Sequence, residues 1–397
     1  MQSDSPKRIL IRTLPLANAN YGGLLQAYAL QSVLHDLGYL PSTDTGVLQY
    51  SYWTFARIKQ EIKNTLVNHT PLGVLNYLPV SKWTLREAMR RESSRKMMEF
   101  VDNHISTVML FRQSGKFVPE VLDGFDGLLA GSDQVWRRAY SDITSYLFDF
   151  AAGSKHIKAS YAASFGMDDI DEYGPELKNR SAVLAKALDA VSVREAAGVE
   201  ICSQCWGVEA LQHVDPTLLL SRSHYDRLAG SANFRKSGPY LLSYILDDES
   251  KPREVEQRLG AALSLPVERL MHNSPKEYRE YRGNRGRYAR PTVYEWLAAF
   301  RDAEFVVTDS FHGTVFAILN NKPFISLGNQ FRGISRFDSL LSLLLLRDRL
   351  VLEDISRIEE IASSPIDWTQ VTSILEQERS RSRKYLLKVF ETRGEVA

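Results

Sequence analysis

The fold class follows from residues 305–314, FVVTDSFHGT. An apolar, β-branched run typical of a buried strand comes first, polar residues follow it, and a helical pattern begins near Gly313. A strand that turns directly into a helix is the opening of a βαβ crossover, the unit from which parallel sheets are built. The stretch therefore predicts a buried parallel sheet with polar groups at the carboxyl end of one strand.

The same alternation of strand and helix patterns occurs on both sides of a polar stretch at residues 221–238. The runs that predict strands lie at 9–14, 127–130, 156–164, 190–193, 239–246, 267–270, 305–308 and 323–327. We predict an α/β protein with two Rossmann-like domains facing a central cleft, because ligands bind at the carboxyl ends of parallel strands. The predicted limits are 1–230 for an N-terminal domain on the acceptor side, 231–366 for a C-terminal domain on the donor side, and 367–397 for a helix packing back across the domains.

Composition narrows the function classes. The 397 residues include 49 Lys and Arg against 48 Asp and Glu, a formal net charge of +1, and 44% are hydrophobic. This balance excludes a disordered chain and argues against a dedicated nucleic-acid binder, which carries a basic excess. An anionic ligand must therefore be captured by a few local groups.

Cysteine content and hydropathy indicate a compartment. Cys202 and Cys205 cannot form a disulfide framework for this length, and a lone CxxC lacks the further ligands of a zinc site. The most apolar stretch, 340–346, is far shorter than the roughly 20 residues that span a bilayer. We expect a cytoplasmic protein without a metal or another cofactor.

The helix start near Gly313 is a candidate anion site. Free backbone N–H groups and the positive end of the helix dipole favour an anion there, and glycine lets a phosphate approach the backbone. His312 would add a proton donor beside Ser310 and Thr314. The alternative is a helix capped by Asp309 or Ser310, with His312 as a packing residue.

Two other segments carry candidate binding groups. The turn at Asn20, Gly22 and Gly23 follows the first strand, and its alternative is a tight turn without a ligand. Asp133 stands at a strand end with Trp136 three residues on, a pairing suited to a sugar hydroxyl and ring; the alternative is a helix cap and a core tryptophan.

Arginines supply the other candidates. Arg194 follows a strand and could aim its guanidinium at a carboxylate or phosphate, or else pair with a protein carboxylate. Residues 278–290 hold five arginines, three tyrosines and one glutamate. That segment suits a lid or clamp for an anionic substrate, with RNA binding and a solvated loop as the alternatives.

Five motifs stand in a fixed order along the chain. They are NYGGLLQAYAL (20–30), GSDQVW (131–136), SVRE (192–195), VDPTLL (214–219) and TDSFHGT (308–314). In that order and spacing, over roughly residues 8–350, the sequence resembles the polysaccharide pyruvyl transferase family. The resemblance implies a GT-B-like fold and transfer of a pyruvyl group from phosphoenolpyruvate to two hydroxyls of a sugar, which gives a cyclic ketal.

The resemblance also implies site residues. His312 and Arg194 correspond to donor-site residues of the family. Some members carry an arginine two residues before the histidine, where this chain has Ser310. The phosphate clamp would then depend on backbone amides, Arg194, Arg332 and Arg336.

Roles follow from the chemistry. His312 would bind phosphate and protonate the leaving group or the enol, and Asp133 would hold or deprotonate an acceptor hydroxyl. The remaining predicted substrate-binding residues are Asn20, Gly22, Gly23, Gln26, Ser132, Gln134, Trp136, Ser310, Gly313 and Thr314.

Three alternatives stay open. A nucleotide-sugar glycosyltransferase would use the same kind of cleft, and a non-catalytic polysaccharide- or RNA-binding protein would use the segment 278–290. If the acceptor is a lipid-linked oligosaccharide, the basic helix after residue 367 could touch the inner face of a membrane; the alternative is a helix packed on its own protein.

Overall fold

The structure is a computed structural model. It describes residues 5–16, 20–46, 92, 94–112, 115–230, 232–234, 238–246, 250–271, 288–328 and 333–391. Arg332 and residues 278–287 of the arginine- and tyrosine-rich segment lie outside the described residues.

The first sheet is built from the amino-terminal half of the chain. Its strands are β1 (Arg8–Arg12), β2 (Leu40–Asp44), β3 (Thr107–Val108), β4 (Gly127–Ala130) and β5 (Ile157–Ser160). All pairings are parallel, in the order β3-β2-β1-β4-β5. Two short parallel strands, β6 (Ser192–Val193) and β7 (Leu211–Gln212), continue beyond β5 through isolated bridges.

The second sheet repeats this design. Its strands are β8 (Leu241–Tyr244), β9 (Val267–Arg269), β10 (Phe305–Thr308), β11 (Phe324–Leu327) and β12 (Leu350–Val351). They are parallel in the order β12-β11-β10-β8-β9. The predicted α/β fold of two Rossmann-like domains facing a cleft is confirmed, and the arrangement is GT-B-like.

Helices connect and cover the strands. They are α1 (Tyr21–Asp36), α2 (Pro119–Leu122), α3 (Ile143–Tyr146), α4 (Gly174–Ala185), α5 (Ala196–Ile201), α6 (Arg222–Ala229), α7 (Ser250–Ala262), α8 (Val293–Asp302), α9 (Phe311–Leu319), α10 (Ile334–Leu343), α11 (Ile358–Ser363) and α12 (Trp368–Glu391). Residues 94–104 are also helical. The start of α8 shows why these segments form helices: Thr292 and Glu295 make a capping box, and the buried stripe includes Trp296 and Phe300.

Strand order places the site. The chain leaves β1 toward β2 on one side and reaches β4 on the other, so the order reverses between β1 and β4. In the second sheet it reverses between β8 and β10. Ligands of open parallel sheets bind at the carboxyl ends of the strands beside such a reversal. We therefore expect the residues that follow β4 and β10 to line the binding site.

The last helix returns to the first domain. Tyr385 of α12 donates a hydrogen bond to the Ser160 carbonyl (2.8 Å), and Arg379 donates to the Leu218 carbonyl (2.6 Å). Leu386 and Phe390 are fully buried. These two residues pack inside the protein, as the alternative of a helix packed on its own protein predicts, and contact of this helix with a membrane stays a prediction.

The strands of the two sheets divide along the chain near residue 230. Every strand of the first sheet precedes residue 230 and every strand of the second follows 231, while the domain limits themselves stay a prediction. Across the described ranges, no helix combines the length and hydropathy that a membrane crossing requires.

Candidate functional site

The strand and turn of residues 305–310 lead into a capped helix. Ser310 Oγ accepts a hydrogen bond from the Gly313 amide (3.3 Å), so α9 begins at Phe311, two residues before the predicted start. The capping alternative is confirmed for Ser310, whereas Asp309 accepts from the Leu246 amide (2.8 Å). His312 consequently lies within the first turn of α9.

Gly313 and Thr314 serve packing, which corrects their predicted role in substrate binding. A Cβ on Gly313 would overlap Thr308 Oγ1 and lie 3.0 Å from Tyr244 Cδ1, so glycine is needed where the helix meets its strand. Thr314 is fully buried, and its hydroxyl is 2.6 Å from that of Ser326. Neither residue faces the cleft.

The amino terminus of α1 meets His312 from the other domain. Asn20 caps α1 by accepting from the Gly23 amide (3.1 Å). A Cβ on Gly22 would overlap Nδ1 and Cγ of the His312 ring and lie 2.7 Å from Cε1. The positive ends of two helices, one from each domain, therefore converge on the same imidazole.

Asp215 lies on the other side of that ring. Its Oδ2 accepts a hydrogen bond from Arg194 Nη1 (2.7 Å) and is 3.5 Å from His312 Nε2 and 3.3 Å from Ser132 Oγ. Its Oδ1 accepts from the backbone N–H (3.0 Å) and the hydroxyl (2.6 Å) of Thr217. One carboxylate thus joins Arg194 of the first domain to His312 of the second.

The charges in this cluster stabilise one another. Burial would raise the pKa of Asp215, but His312 and Arg194 hold it well below its usual range. Burial would lower the pKa of Arg194, but Asp215, Asp133 and Glu195 outweigh that effect and raise it. Both groups are therefore ionised at neutral pH.

Asp133 follows β4 in an unusual backbone conformation. Its φ is +72°, in the left-handed region that a non-glycine residue adopts at a cost of about 1–3 kcal/mol. Its Oδ1 lies 3.5 Å from Arg194 Nη2. A Cβ on Gly23 would lie 3.4 Å from its Oδ2, so the carboxylate is close to the start of α1. The strained conformation turns Asp133 toward the arginine and the helix terminus.

A second arginine approaches from α10. The guanidinium carbon of Arg194 lies 4.4 Å from the centre of the Phe311 ring, and that of Arg336 lies 5.8 Å from it. Burial, followed by the charge of Arg194, lowers the pKa of Arg336 to about 10, so the group still carries its charge at neutral pH. Among the described residues, Nε and Nη2 of Arg194 make no hydrogen bond, and Nη2 has only the ion pair with Asp133 at 3.5 Å. Two buried guanidinium groups thus flank one aromatic ring.

Glu195 supports the loop beside these arginines. Its Oε1 accepts from the amides of Phe165 (2.8 Å) and Gly166 (3.4 Å), and burial raises its pKa. The Gly166 carbonyl in turn lies so close to Gly333 that a Cβ there would overlap it. This loop is a second contact between the domains.

Several predicted binding residues have structural roles instead. Trp136 has no exposed surface and packs edge-on against Trp206 (4.9 Å), so the sugar-stacking prediction is corrected to a core role. Gln26 is fully buried, and its Nε2 donates to Thr13 Oγ1 (2.7 Å). Gln134 accepts from Arg137 Nη1 (2.9 Å).

Ser132 is also enclosed. It has no exposed surface, and its hydroxyl donates to the Ala162 carbonyl (2.8 Å). The predicted residues that the structure brings together in the cleft are His312, Asp133, Arg194, Ser310, Arg336, Asn20, Gly22 and Gly23. The prediction did not assign Asp215 or Phe311, although both stand in quoted motifs, because neither residue type signals which residues elsewhere along the chain it contacts.

The space at the site is small in this structure. The cavity bounded by Arg194, Asp215, Phe311 and Arg336 measures about 10 Å³, near the minimum for one water molecule. A groove of about 790 Å³ lies elsewhere, at the amino ends of β1 and β2, beside Arg8 and Leu40. The domains are therefore closed against each other at the chemical site. In the described part of the chain, no group of three metal-ligating side chains is present.

The fold and this site define a two-domain α/β protein of the GT-B-like class. Residues 20–330 match the sequence profile of the family described as polysaccharide pyruvyl transferase, and the chain belongs to that family. It is therefore a transferase by family. No curated protein sequence matches the chain.

Similar solved structures are distant. An S. aureus MnaA–UDP co-structure has a TM-score of 0.49 at 12% identity and covers 98% of this chain and 99% of its own. A UDP-GlcNAc 2-epimerase from Methanocaldococcus jannaschii has a TM-score of 0.47 at 11% identity, with coverages of 96% and 98%. A UDP-glucosyltransferase from Polygonum tinctorium has a TM-score of 0.46 at 10% identity, with coverages of 99% and 100%.

Proposed function

We propose that this protein transfers the pyruvyl group of phosphoenolpyruvate to two hydroxyls of a sugar, forming a cyclic ketal. The sugar would belong to a cell-surface polysaccharide or exopolysaccharide, or to its lipid-linked precursor. The observation that carries the proposal is that Arg194 and Arg336 flank the Phe311 ring beside the two helix amino termini that meet at His312, in a chain of the pyruvyl transferase family.

The donor suits this cluster. Phosphoenolpyruvate carries a phosphate and a carboxylate on the same carbon atom, and a neutral protein has no overall field to gather it. Guanidinium groups bind such anions in a bidentate manner, and helix amino termini add N–H donors. Nε of Arg194 and Nη2, which lies 3.5 Å from Asp133 Oδ1, form the edge that a carboxylate or phosphate oxygen pair would occupy. The protein would need no metal for donor binding.

The reaction balances without a redox partner. A proton added to the methylene carbon makes a methyl group and leaves C2 electrophilic; one sugar hydroxyl attacks C2 and loses its proton. Phosphate then leaves with the electrons of the C–O bond and takes up a proton. The second hydroxyl attacks C2, loses its proton and closes the ketal. One general acid and one general base are required.

Two residues are placed to fill these roles. His312 lies at the helix start where the phosphate would bind, and it would donate a proton to the departing phosphate or to the enol carbon. Asp133 lies 3.5 Å from Arg194 and close to the start of α1, and it would hold or deprotonate the acceptor hydroxyl. Since the cavity between the domains measures about 10 Å³, donor entry would require the domains to separate and close again.

The test is incubation with phosphoenolpyruvate and a panel of synthetic or lipid-linked sugars. We expect phosphate release that depends on the acceptor, and a product whose mass has grown by one pyruvyl ketal. His312→Ala and Arg194→Ala should lower turnover at least 100-fold while keeping the parent circular dichroism spectrum. Exposed His35→Ala and Arg357→Ala are the matched controls and should keep parent turnover. Consumption of a nucleotide sugar in place of phosphoenolpyruvate would overturn the proposal.

A further inference from the structure

Asp215 has no role in the function proposed above. We propose that Asp215 is a positioning residue that orients Arg194 and His312, so that the two are aligned only when the domains meet. The inference rests on the proposed function for its kinetic consequences, but its structural part can be tested without turnover.

The Asp215 carboxylate is itself held rigidly. Asp215 caps the short 3₁₀ helix Pro216–Leu219, and both the N–H and the hydroxyl of Thr217 donate to Oδ1. This pair of bonds fixes the rotation of the carboxylate. Oδ2 must then face Arg194 at 2.7 Å and His312 at 3.5 Å.

Burial shows that Asp215 acts through its neighbours. Its side chain has no exposed surface, whereas those of Arg194 and His312 keep 2% and 8%. In this closed arrangement, Asp215 therefore has no face for substrate. Its effect on the reaction must pass through the arginine and the histidine.

The geometry selects one form of the histidine. Nε2 of His312 faces the carboxylate, and the Nδ1 side of the ring lies against Gly22. A carboxylate beside one ring nitrogen favours the tautomer that carries its proton there, as in metal sites and catalytic triads. In the neutral ring, Asp215 would therefore keep the proton on Nε2.

The contact between Asp215 and His312 also links the two domains. Arg194 and Asp215 follow strands β6 and β7 beside the first sheet, and His312 belongs to α9 of the second. When the domains separate, Asp215 keeps Arg194 and loses His312. Domain closure would therefore align the histidine at the moment when the donor is enclosed.

The first test is Asp215→Asn, which keeps the size of the side chain and removes its charge. We expect kcat to fall at least 10-fold. In ¹⁵N-histidine-labelled protein, the long-range ¹H–¹⁵N spectrum should show the His312 ring moving from the Nε2–H tautomer toward a mixture; His312→Gln assigns its signals. The matched control is Asp44→Asn, since Asp44 is also buried and paired with an arginine, Arg12, but lies at β2.

A second variant keeps the inference testable if Asp215→Asn does not fold. Thr217→Val removes the hydroxyl bond to Oδ1 and leaves the carboxylate charge in place; it should give a smaller loss of kcat and a partial tautomer change. Parent kcat and an unchanged His312 tautomer in the folded variants would overturn the inference. If the parent protein does not consume phosphoenolpyruvate, the proposed function fails, whereas the tautomer change still decides the role of Asp215.

Discussion

Gly22 lies directly against the imidazole of His312, although the two residues belong to different domains. A Cβ on Gly22 would overlap Nδ1 and Cγ of the ring. Gly22 is in the first turn of α1, and His312 is in the first turn of α9. The two helix amino termini can therefore approach this closely only because residue 22 has no side chain.

Gly22→Ala should lower turnover at least 10-fold. The methyl group would displace the ring or push the domains apart, since the atoms it meets belong to a side chain enclosed by its neighbours. Each domain core stays intact, so the melting temperature should change little. Steady-state kinetics and thermal unfolding measure the two effects. Gly124→Ala, where the nearest atoms lie 3.4 Å from the new Cβ, is the matched control and should keep parent turnover.

Arg194→Lys should be almost as damaging as removal of the side chain. One guanidinium reaches Asp215 Oδ2 (2.7 Å) and Asp133 Oδ1 (3.5 Å), and it also lies over Phe311. A single ammonium cannot hold this planar geometry. We expect kcat/KM for phosphoenolpyruvate to fall at least 100-fold in an acceptor-dependent phosphate-release assay.

An arginine elsewhere in the protein serves as the matched control for Arg194→Lys. Arg258→Lys changes a half-exposed arginine that pairs with Glu359 (2.8 Å) far from the cleft, and it should keep parent kinetics. Near-parent kcat/KM in Arg194→Lys would show that a positive charge alone suffices there. The bidentate role would then be wrong.

Trp136→Phe separates a core role from a sugar-binding role. Trp136 contacts Phe165 (5.2 Å) and Trp206 (4.9 Å) and has no exposed surface. The smaller ring leaves a cavity, so the free energy of unfolding should fall by about 1–3 kcal/mol while KM for the sugar stays unchanged. Urea denaturation and acceptor titration measure these quantities. A raised KM at parent stability would restore the sugar-stacking role.

The sequence predicts regular elements better than the contacts between them. Strands β4 and β10 lie at the predicted residues, because continuous apolar runs identify buried parallel strands. The start of α9 was placed two residues late, since a helix can begin at any of several polar residues and only the Ser310 cap decides it. Trp136 matched a sugar-site spacing, but it packs with Phe165 and Trp206 in the core, and its spacing from Asp133 does not reveal that packing.

The candidate site was predicted in its parts but not as a cluster. Arg194 and His312 were identified from motifs, yet the carboxylate that joins them was not. Asp133, Arg194, Asp215 and His312 are brought together by the order of strands in two sheets, and a pattern along the chain does not contain that order. Asp-Pro after a strand is also typical of an ordinary turn, so Asp215 carried no distinguishing signal.

His213 should make the protein less stable in mild acid. Its Nδ1 is 2.8 Å from Ser192 Oγ, and its ring packs against the rings of Tyr161 and Tyr385. Burial, with a contribution from Arg381, lowers the pKa of His213 to about 4. The unfolded chain, with a histidine pKa near 6.5, binds more protons between these values, so the stabilising contribution is complete above about pH 6.5 and is lost as the pH falls toward 4.

Urea denaturation between pH 7.5 and 4.5 tests this dependence. The free energy of unfolding of the parent should fall across this range by up to about 3 kcal/mol on account of His213. His213→Gln removes the titrating group, so its stability should be lower at pH 7.5 but should decline less steeply. His35→Gln, at an exposed position, should follow the parent curve. If the free energy of unfolding fell equally steeply with pH in the parent and in His213→Gln, the folded protein would accommodate a charged His213. The expected difference in steepness arises only if His213 stays neutral in the folded protein.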